Sequence, residues 1–91
     1  MEACIQILVV DDYEPARRFI CSLLASQPKL NIISEASDGA AAIQEAEELQ
    51  PDLILLDIGL PKLNGVEAAR QIRLVSPSSR ILFVSEQFLL I

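Results

Sequence analysis

Residues 53–65 read Leu-Ile-Leu-Leu-Asp-Ile-Gly-Leu-Pro-Lys-Leu-Asn-Gly, four aliphatic side chains running straight into one acid, Asp57. A continuous apolar run of this length between turn residues suits a strand buried on both faces; a half-buried strand would alternate apolar with polar. Gly59 and Pro61 then break the chain, and Asn64-Gly65 opens a helix. Asp57 is thereby expected at the carboxyl end of a central strand, the rim where open parallel sheets place their ligand sites.

Working outward, Ile5 to Val10 (IQILVV) predicts a first buried strand that ends at Asp11-Asp12. Pro15 suits the first position of a helix. Ala16, Phe19, Ile20, Leu23 and Leu24 recur at helical spacing and form its apolar face, with Arg17, Arg18 and Ser22 turned away. Pro28 ends it. Asn31 to Ala36 (NIISEA) carries Asn31, Ser34 and Glu35, a polarity that suits a sheet edge. Asp38 caps a second helix, with Ala42, Ile43, Ala46 and Leu49 inward and Gln44, Glu45, Glu47 and Glu48 solvated. Gln50-Pro51-Asp52 turns the chain into the Asp57 strand. Asn64 followed by Glu67 resembles a capping box, and Ala68, Ala69, Ile72 and Val75 make the stripe of a third helix that Pro77 stops. Ile81 to Val84 (ILFV) is a fourth strand, ending at Ser85; residues 86–91 read equally as a strand extension or a short helix start.

The order βαβαβαβ, with a helix in every connection, implies an α/β fold: a doubly wound parallel sheet with right-handed crossovers. Ninety-one residues make a single domain with no internal repeat or linker. A chain of this size buries only about 60–65% of its unfolded surface, so each element must serve one core, and Phe19 and Phe83 are expected in it. With 52% hydrophobic and 22% charged residues the composition is that of a globular protein. The net charge of −6 argues against direct nucleic-acid binding. The absence of His excludes a His-centred metal site or triad. Cys4 and Cys21 form neither a CxxC motif nor a disulfide framework and are expected as reduced thiols of a cytoplasmic protein. The longest apolar runs have four residues, too short to span a membrane.

Asp11 and Asp12 end the first strand, Asp57 the third and Ser85 the fourth, all on one rim. If strands one and three are neighbours, these carboxylates lie about 5 Å apart and repel unless a cation sits among them. Hard oxygen donors without His or thiolate suit Mg²⁺ or Mn²⁺. A cation held there would neutralise and orient an incoming phosphoryl group beside Asp57, the main requirement of phosphoryl transfer. Ser85 could donate to the transferred group. Arg70 and Arg73 read as a solvated helix face, and Tyr13 as a rim contact.

The segments LVVDDYEPAR, LILLDIGLPKLNGVEAARQIR and ILFVS resemble the receiver domain of two-component response regulators over Ile5 to about Gln87, nearly the whole chain. The wording around Gly65 to Arg73 is most similar to regulators with a helix-turn-helix DNA-binding output domain. The resemblance implies a flavodoxin-like fold and a phosphoryl group taken by Asp57 from a histidine kinase's phosphohistidine or a small phosphodonor. It implies Mg²⁺ held by Asp11, Asp12 (more directly), Asp57 and the backbone carbonyl of Gly59, with Ser85 as the switch hydroxyl. Glu86 stands where the family often has a small residue.

The family's strand order is 2-1-3-4-5, whereas this chain is expected to stop at 2-1-3-4, a truncated receiver without its fifth βα unit or an output domain. The lysine that pairs with the phosphoryl group belongs to the missing part; Lys29 and Lys62 are the only lysines here. Switching is then expected to be impaired. The fourth strand would be an uncovered apolar edge, and with the tail FLLI it is expected to recruit another copy into a homo-oligomer. Two other functions remain open: a pseudo-receiver that accepts no phosphate, and a Mg²⁺-dependent phosphohydrolase using Asp57 as nucleophile. The haloacid-dehalogenase type of hydrolase expects an acid where Gly59 stands.

Overall fold

The aliphatic runs become the strands of a four-stranded parallel sheet in a computed structural model that describes residues 4–85. In chain order the elements are β1 (Ile5–Val10), α1 (Glu14–Ala25), β2 (Leu30–Ala36), α2 (Gly39–Leu49), β3 (Leu53–Asp57), α3 (Gly65–Val75) and β4 (Arg80–Val84). The sheet order is β2-β1-β3-β4, the doubly wound, flavodoxin-like topology expected from the alternation of elements. Val10 pairs with Leu56, and Asp57 with Val84, so the strands finish level with one another along one rim. The expected tail conformation at 86–91 lies outside the described residues.

The burial follows from strand parity. Leu8, Val10, Ile54 and Leu56 point to one face, where Ala42 and Ala46 of α2 and Ala68, Ala69 and Ile72 of α3 close over them. Small residues on both helices allow this close approach. Ile7, Val9 and Leu55 point to the other face and meet Ile20, Cys21 and Leu24 of α1. Each fully buried Leu, Ile or Val contributes roughly 1.5–3 kcal/mol; β1 and β3 therefore carry much of the folding free energy. The helix starts are fixed locally: the Asp38 carboxylate accepts from the Ala41 amide at 2.8 Å, and the Asn64 side-chain oxygen accepts from the Glu67 amide at 2.9 Å. Glu67 itself turns to Arg70 and Gln71 instead of closing a reciprocal box.

At the opposite pole Gln50 adopts a left-handed conformation (φ 48°) that ends α2. Its side-chain amide donates to the carbonyls of Ala46, Glu47 and Val75, tying the ends of α2 and α3 together. The edge strand β2 carries a register irregularity opposite Ile7/Leu8, which breaks the regular ladder near that edge.

Three expectations about the core are corrected. Phe19 and Leu23 are 58% and 56% exposed, so α1 is rotated about its axis relative to the expected face. The stripe that meets the sheet is Arg17, Ile20, Cys21 and Leu24, and Arg17 is turned inward with its side chain only 17% exposed. A single helix lies on that face among the described residues, and it seats on β1 and β2, leaving its outer flank bare. Leu82, beside Leu55 on that face of β4, is 55% exposed for the same reason, and Phe83, beside Leu56 on the opposite face, is 42% exposed because β4 is the last strand of the sheet among the described residues. Leu49 lies at the last turn of α2, beyond the sheet, and is also exposed. No helix among the described residues is long and apolar enough to cross a membrane.

Candidate functional site

The rim at the strand ends gathers the acids. Because β1 and β3 are neighbours, Asp11, Asp12 and Asp57 come together with one carboxylate oxygen of each within 4.8 Å of the others. Asp57 is buried, as is Asp11, while Asp12 faces solvent. Ile58 donates to the Val84 carbonyl at 3.0 Å, locking the exit of β3 to the end of β4. Ser85 follows Val84 directly and so stands at the same rim, one position past the partner of Asp57. Tyr13 is exposed at this rim, as expected of a peripheral contact.

Each acid is held by local chemistry. The Asp57 carboxylate accepts from the Gly59 amide at 2.9 Å, an Asx-type turn that folds the loop back over the strand end. Gly65 lets the start of α3 press against the same loop: a Cβ there would stand 2.5 Å from the Asp57 carbonyl oxygen and 2.7 Å from Ile58 Cα. Lys62, with φ 63°, makes the left-handed turn between them. On the other strand Asp11 is fixed at three points. Its amide donates to the Ala36 carbonyl at 3.1 Å, its Oδ1 accepts from the Tyr13 amide at 2.9 Å, and its carbonyl accepts from Arg17 Nη1 at 2.7 Å.

Burial pushes the Asp57 carboxyl above its ordinary range; the Gly59 amide opposes this, and the charges of Asp11 and Asp12 reinforce it. A buried carboxylate crowded by two others favours a bound cation. Three carboxylates with neither thiolate nor imidazole among them form a hard donor set that fits Mg²⁺ or Mn²⁺.

The fold and rim invite comparison with known proteins, and the model of the response regulator receiver domain matches residues 7–88. The chain belongs to the receiver family. It is 37% identical over 81 residues to the transcriptional regulatory protein DegU of Brevibacillus brevis, a match that covers 89% of this chain and 34% of that one. Among solved structures, the response regulator domain of Thermotoga maritima CheB superposes with a TM-score of 0.85 at 39% identity, covering 90% of this chain and 60% of that one. A structure of a CheX–CheY–BeF3–Mg complex from Borrelia burgdorferi matches with a TM-score of 0.84 at 26% identity, covering 93% of this chain and 67% of that one. The receiver spans between 19% and 39% of the length of the curated relatives it matches.

One residue at this rim was not expected from the sequence. Arg17 reads as a solvated helix residue, yet its guanidinium grips the Asp11 carbonyl and, through Nε at 3.0 Å, the Glu35 carboxylate on β2. The signal was the second apolar register on α1, at positions 20, 21 and 24, which shares its face with position 17.

Proposed function

We propose that this receiver is a cytoplasmic phosphoacceptor, taking a phosphoryl group on Asp57 from the phosphohistidine of a histidine kinase or from a small phosphodonor. The observation that carries the reading is the convergence of Asp11, Asp12 and Asp57 within 4.8 Å at the strand ends of a receiver fold. In the transfer an Asp57 carboxylate oxygen forms the new P–O bond as the P–N bond to the donor imidazole breaks, and the imidazole nitrogen takes up a proton. Asp11, Asp12, Asp57 and the Gly59 carbonyl would hold Mg²⁺, with Asp12 in the most direct contact. Bound there, the ion supplies the positive charge that offsets the incoming phosphoryl oxygens. The Gly59 amide orients the acceptor carboxylate. Ser85, beside the rim, serves as the switch hydroxyl that donates to the transferred group. Mg²⁺ in the Borrelia burgdorferi CheY complex supports the choice of ion.

Asp57 acts here as an acceptor and not as a hydrolytic nucleophile, since Gly59 stands where a hydrolase of that kind needs its second acid. Of the two lysines in these 91 residues, Lys29 lies at the opposite pole, where its carbonyl accepts from the Ile5 amide, and Lys62 lies in the loop after β3. The exposed Leu82 and Phe83 on β4 favour a second role in association: two copies pairing along that edge, assisted by the apolar tail. Nucleic-acid contact is assigned to no part of this acidic chain.

Incubation with Mg²⁺ and a small phosphodonor, followed by intact-protein mass, tests the reading. The expected result is a gain of one phosphoryl group that requires Mg²⁺ and disappears in Asp57→Asn. Phosphate release without an adduct would indicate hydrolysis, and no reaction would indicate a pseudo-receiver.

A further inference from the structure

Arg17 and Glu35 form a strut between β2 and the loop that carries the two acids of β1. The Arg17 side chain is largely buried, with Nη1 on the Asp11 carbonyl at 2.7 Å and Nε on Glu35 Oε1 at 3.0 Å. Its neighbour Arg18 shows the ordinary alternative: a side chain 76% exposed, paired with Glu14 one turn back on its own helix. Glu35 sits on β2 opposite Val9, two residues before Asp11, so both ends of the strut are anchored to the sheet. Cys21, one turn further along α1, also meets Glu35, and burial together with that carboxylate pushes its thiol up.

A guanidinium this close to a carboxylate cluster would ordinarily fork onto the carboxylates themselves, because bidentate Arg–carboxylate pairs are strong. Such a pair would occupy the oxygens a cation needs. Here Glu35 takes up Nε–H from the side, and an Nη1 N–H is directed at a backbone carbonyl. The charge of Arg17 is balanced away from the rim, and what reaches the rim is geometry: the Asp11 carbonyl fixed, with its amide and Oδ1 already tied to Ala36 and Tyr13.

We infer that Arg17, held by Glu35, is a positioning residue for divalent-cation binding by Asp11 and Asp12. The inference rests on the Mg²⁺ reading given above. Outer-shell partners of metal ligands commonly change metal affinity by about 10–100-fold when removed, and the sign of the effect separates positioning from simple charge. Removing a cation beside three carboxylates should strengthen Mg²⁺ binding if charge alone acts. Loss of the strut should weaken it.

The experiment is a Mg²⁺ titration of the full 91-residue chain, followed by backbone amide shifts around Asp57 and Gly59, with thermal unfolding recorded in parallel. Arg17→Gln is expected to weaken Mg²⁺ binding about tenfold. Arg17→Lys, which keeps the charge but cannot fork onto two acceptors, should also weaken it, by less. Glu35→Gln should weaken it as well, and the double variant Arg17→Gln/Glu35→Gln should be no worse than Arg17→Gln alone, because the two act as a unit. Mg²⁺ affinity of Arg17→Gln equal to or tighter than the parent's would overturn the inference while leaving the phosphoacceptor reading standing. If Arg17→Gln fails to fold, Arg17→Lys, which leaves the charge unchanged, decides it, and an affinity within about twofold of the parent's would overturn it. A parent chain without saturable Mg²⁺ binding would overturn the inference and the metal reading together.

Discussion

Replacing Asp57 by Asn is expected to stabilise the metal-free protein. Asp57 is 6% exposed and shares a space of 4.8 Å with the carboxylates of Asp11 and Asp12. At that separation two unit charges repel by about 0.9 kcal/mol in a water-like medium and about 3.5 kcal/mol at an effective dielectric of 20. Asp12 is exposed and Asp11 buried, so the pairs fall nearer opposite ends of that range, and both relax by moving apart. Asn keeps the shape of Asp and an oxygen to accept from the Gly59 amide, so little is lost in exchange. A gain of about 1–2 kcal/mol follows, in the ordinary range for stabilising substitutions. For a domain of this size it is a rise in Tm of at least about 4 °C. The pH dependence has a definite sign. Burial raises the Asp57 pKa, with its neighbours' charges reinforcing the shift, so the folded state binds more protons than the unfolded one between the unfolded value, about 3.9, and the raised folded value. Stability attributable to Asp57 is therefore lost as pH rises through that window, and Asn recovers it. Circular-dichroism melting in EDTA should show the full gap between variant and parent at pH 7 and none near pH 3. Mg²⁺ at ten times its Kd should then raise the parent alone, by about 1.4 kcal/mol, and narrow the gap. A variant no more stable than the parent at pH 7, or a gap undiminished at pH 3, would refute the reasoning.

Gly65→Ala should damage fold and site together, since the new methyl meets the Asp57 carbonyl and the Ile58 backbone; a loss of at least about 1–3 kcal/mol and no phosphoryl incorporation by mass spectrometry are expected. Asn64→Ala removes the cap of α3 and should cost about 1 kcal/mol, seen in urea melts, with Mg²⁺ affinity unchanged because the cap bonds to the Glu67 amide and not to Asp11, Asp12 or Asp57. Leu82→Lys places a charge on the exposed edge strand β4; sedimentation velocity should show weaker self-association than the parent, and an unchanged profile would argue against pairing along that edge.

The strands and the rim were legible because they depend on local signals. A four-residue apolar run bounded by turn residues reads as a strand, which all three such runs form, though only β1 and β3 are buried on both faces, and an acid at the end of such a strand falls at the rim. The capping signals at Asp38 and Asn64 are equally local, and both caps form. The face of α1 was not legible, and the reason is specific. Its apolar residues fit two registers, 16/19/20/23/24 and 17/20/21/24, which share Ile20 and Leu24. Hydrophobicity favours the first, with Phe19 and Leu23. The structure takes the second because the position of the helix over β1 and β2 is set by sheet order, a long-range fact, and because an Arg stem can lie along apolar surface while its head reaches a polar partner. Nor does the sequence show which acid of the pair is buried, since strand alternation stops where the loop begins.

These two illegible points have a common origin at the end of β1. Three carboxylates at one rim destabilise the fold that gathers them, so local preference alone would not hold them together; they persist only if the surrounding backbone is over-determined. Asp57 has such support from its own loop, in the Gly59 amide and the close approach of Gly65, all encoded within nine residues. Asp11 draws support from its own segment in the Tyr13 amide. Further anchors come from Ala36 on the neighbouring strand and from Arg17 on the following helix, itself braced by Glu35 of that strand. The rotation of α1 that exposes Phe19 is thus the same rotation that brings Arg17 to Asp11. A substitution that restored the expected register, by making position 17 unable to reach inward, should leave the core's apolar area little changed and yet release the loop that carries Asp11 and Asp12.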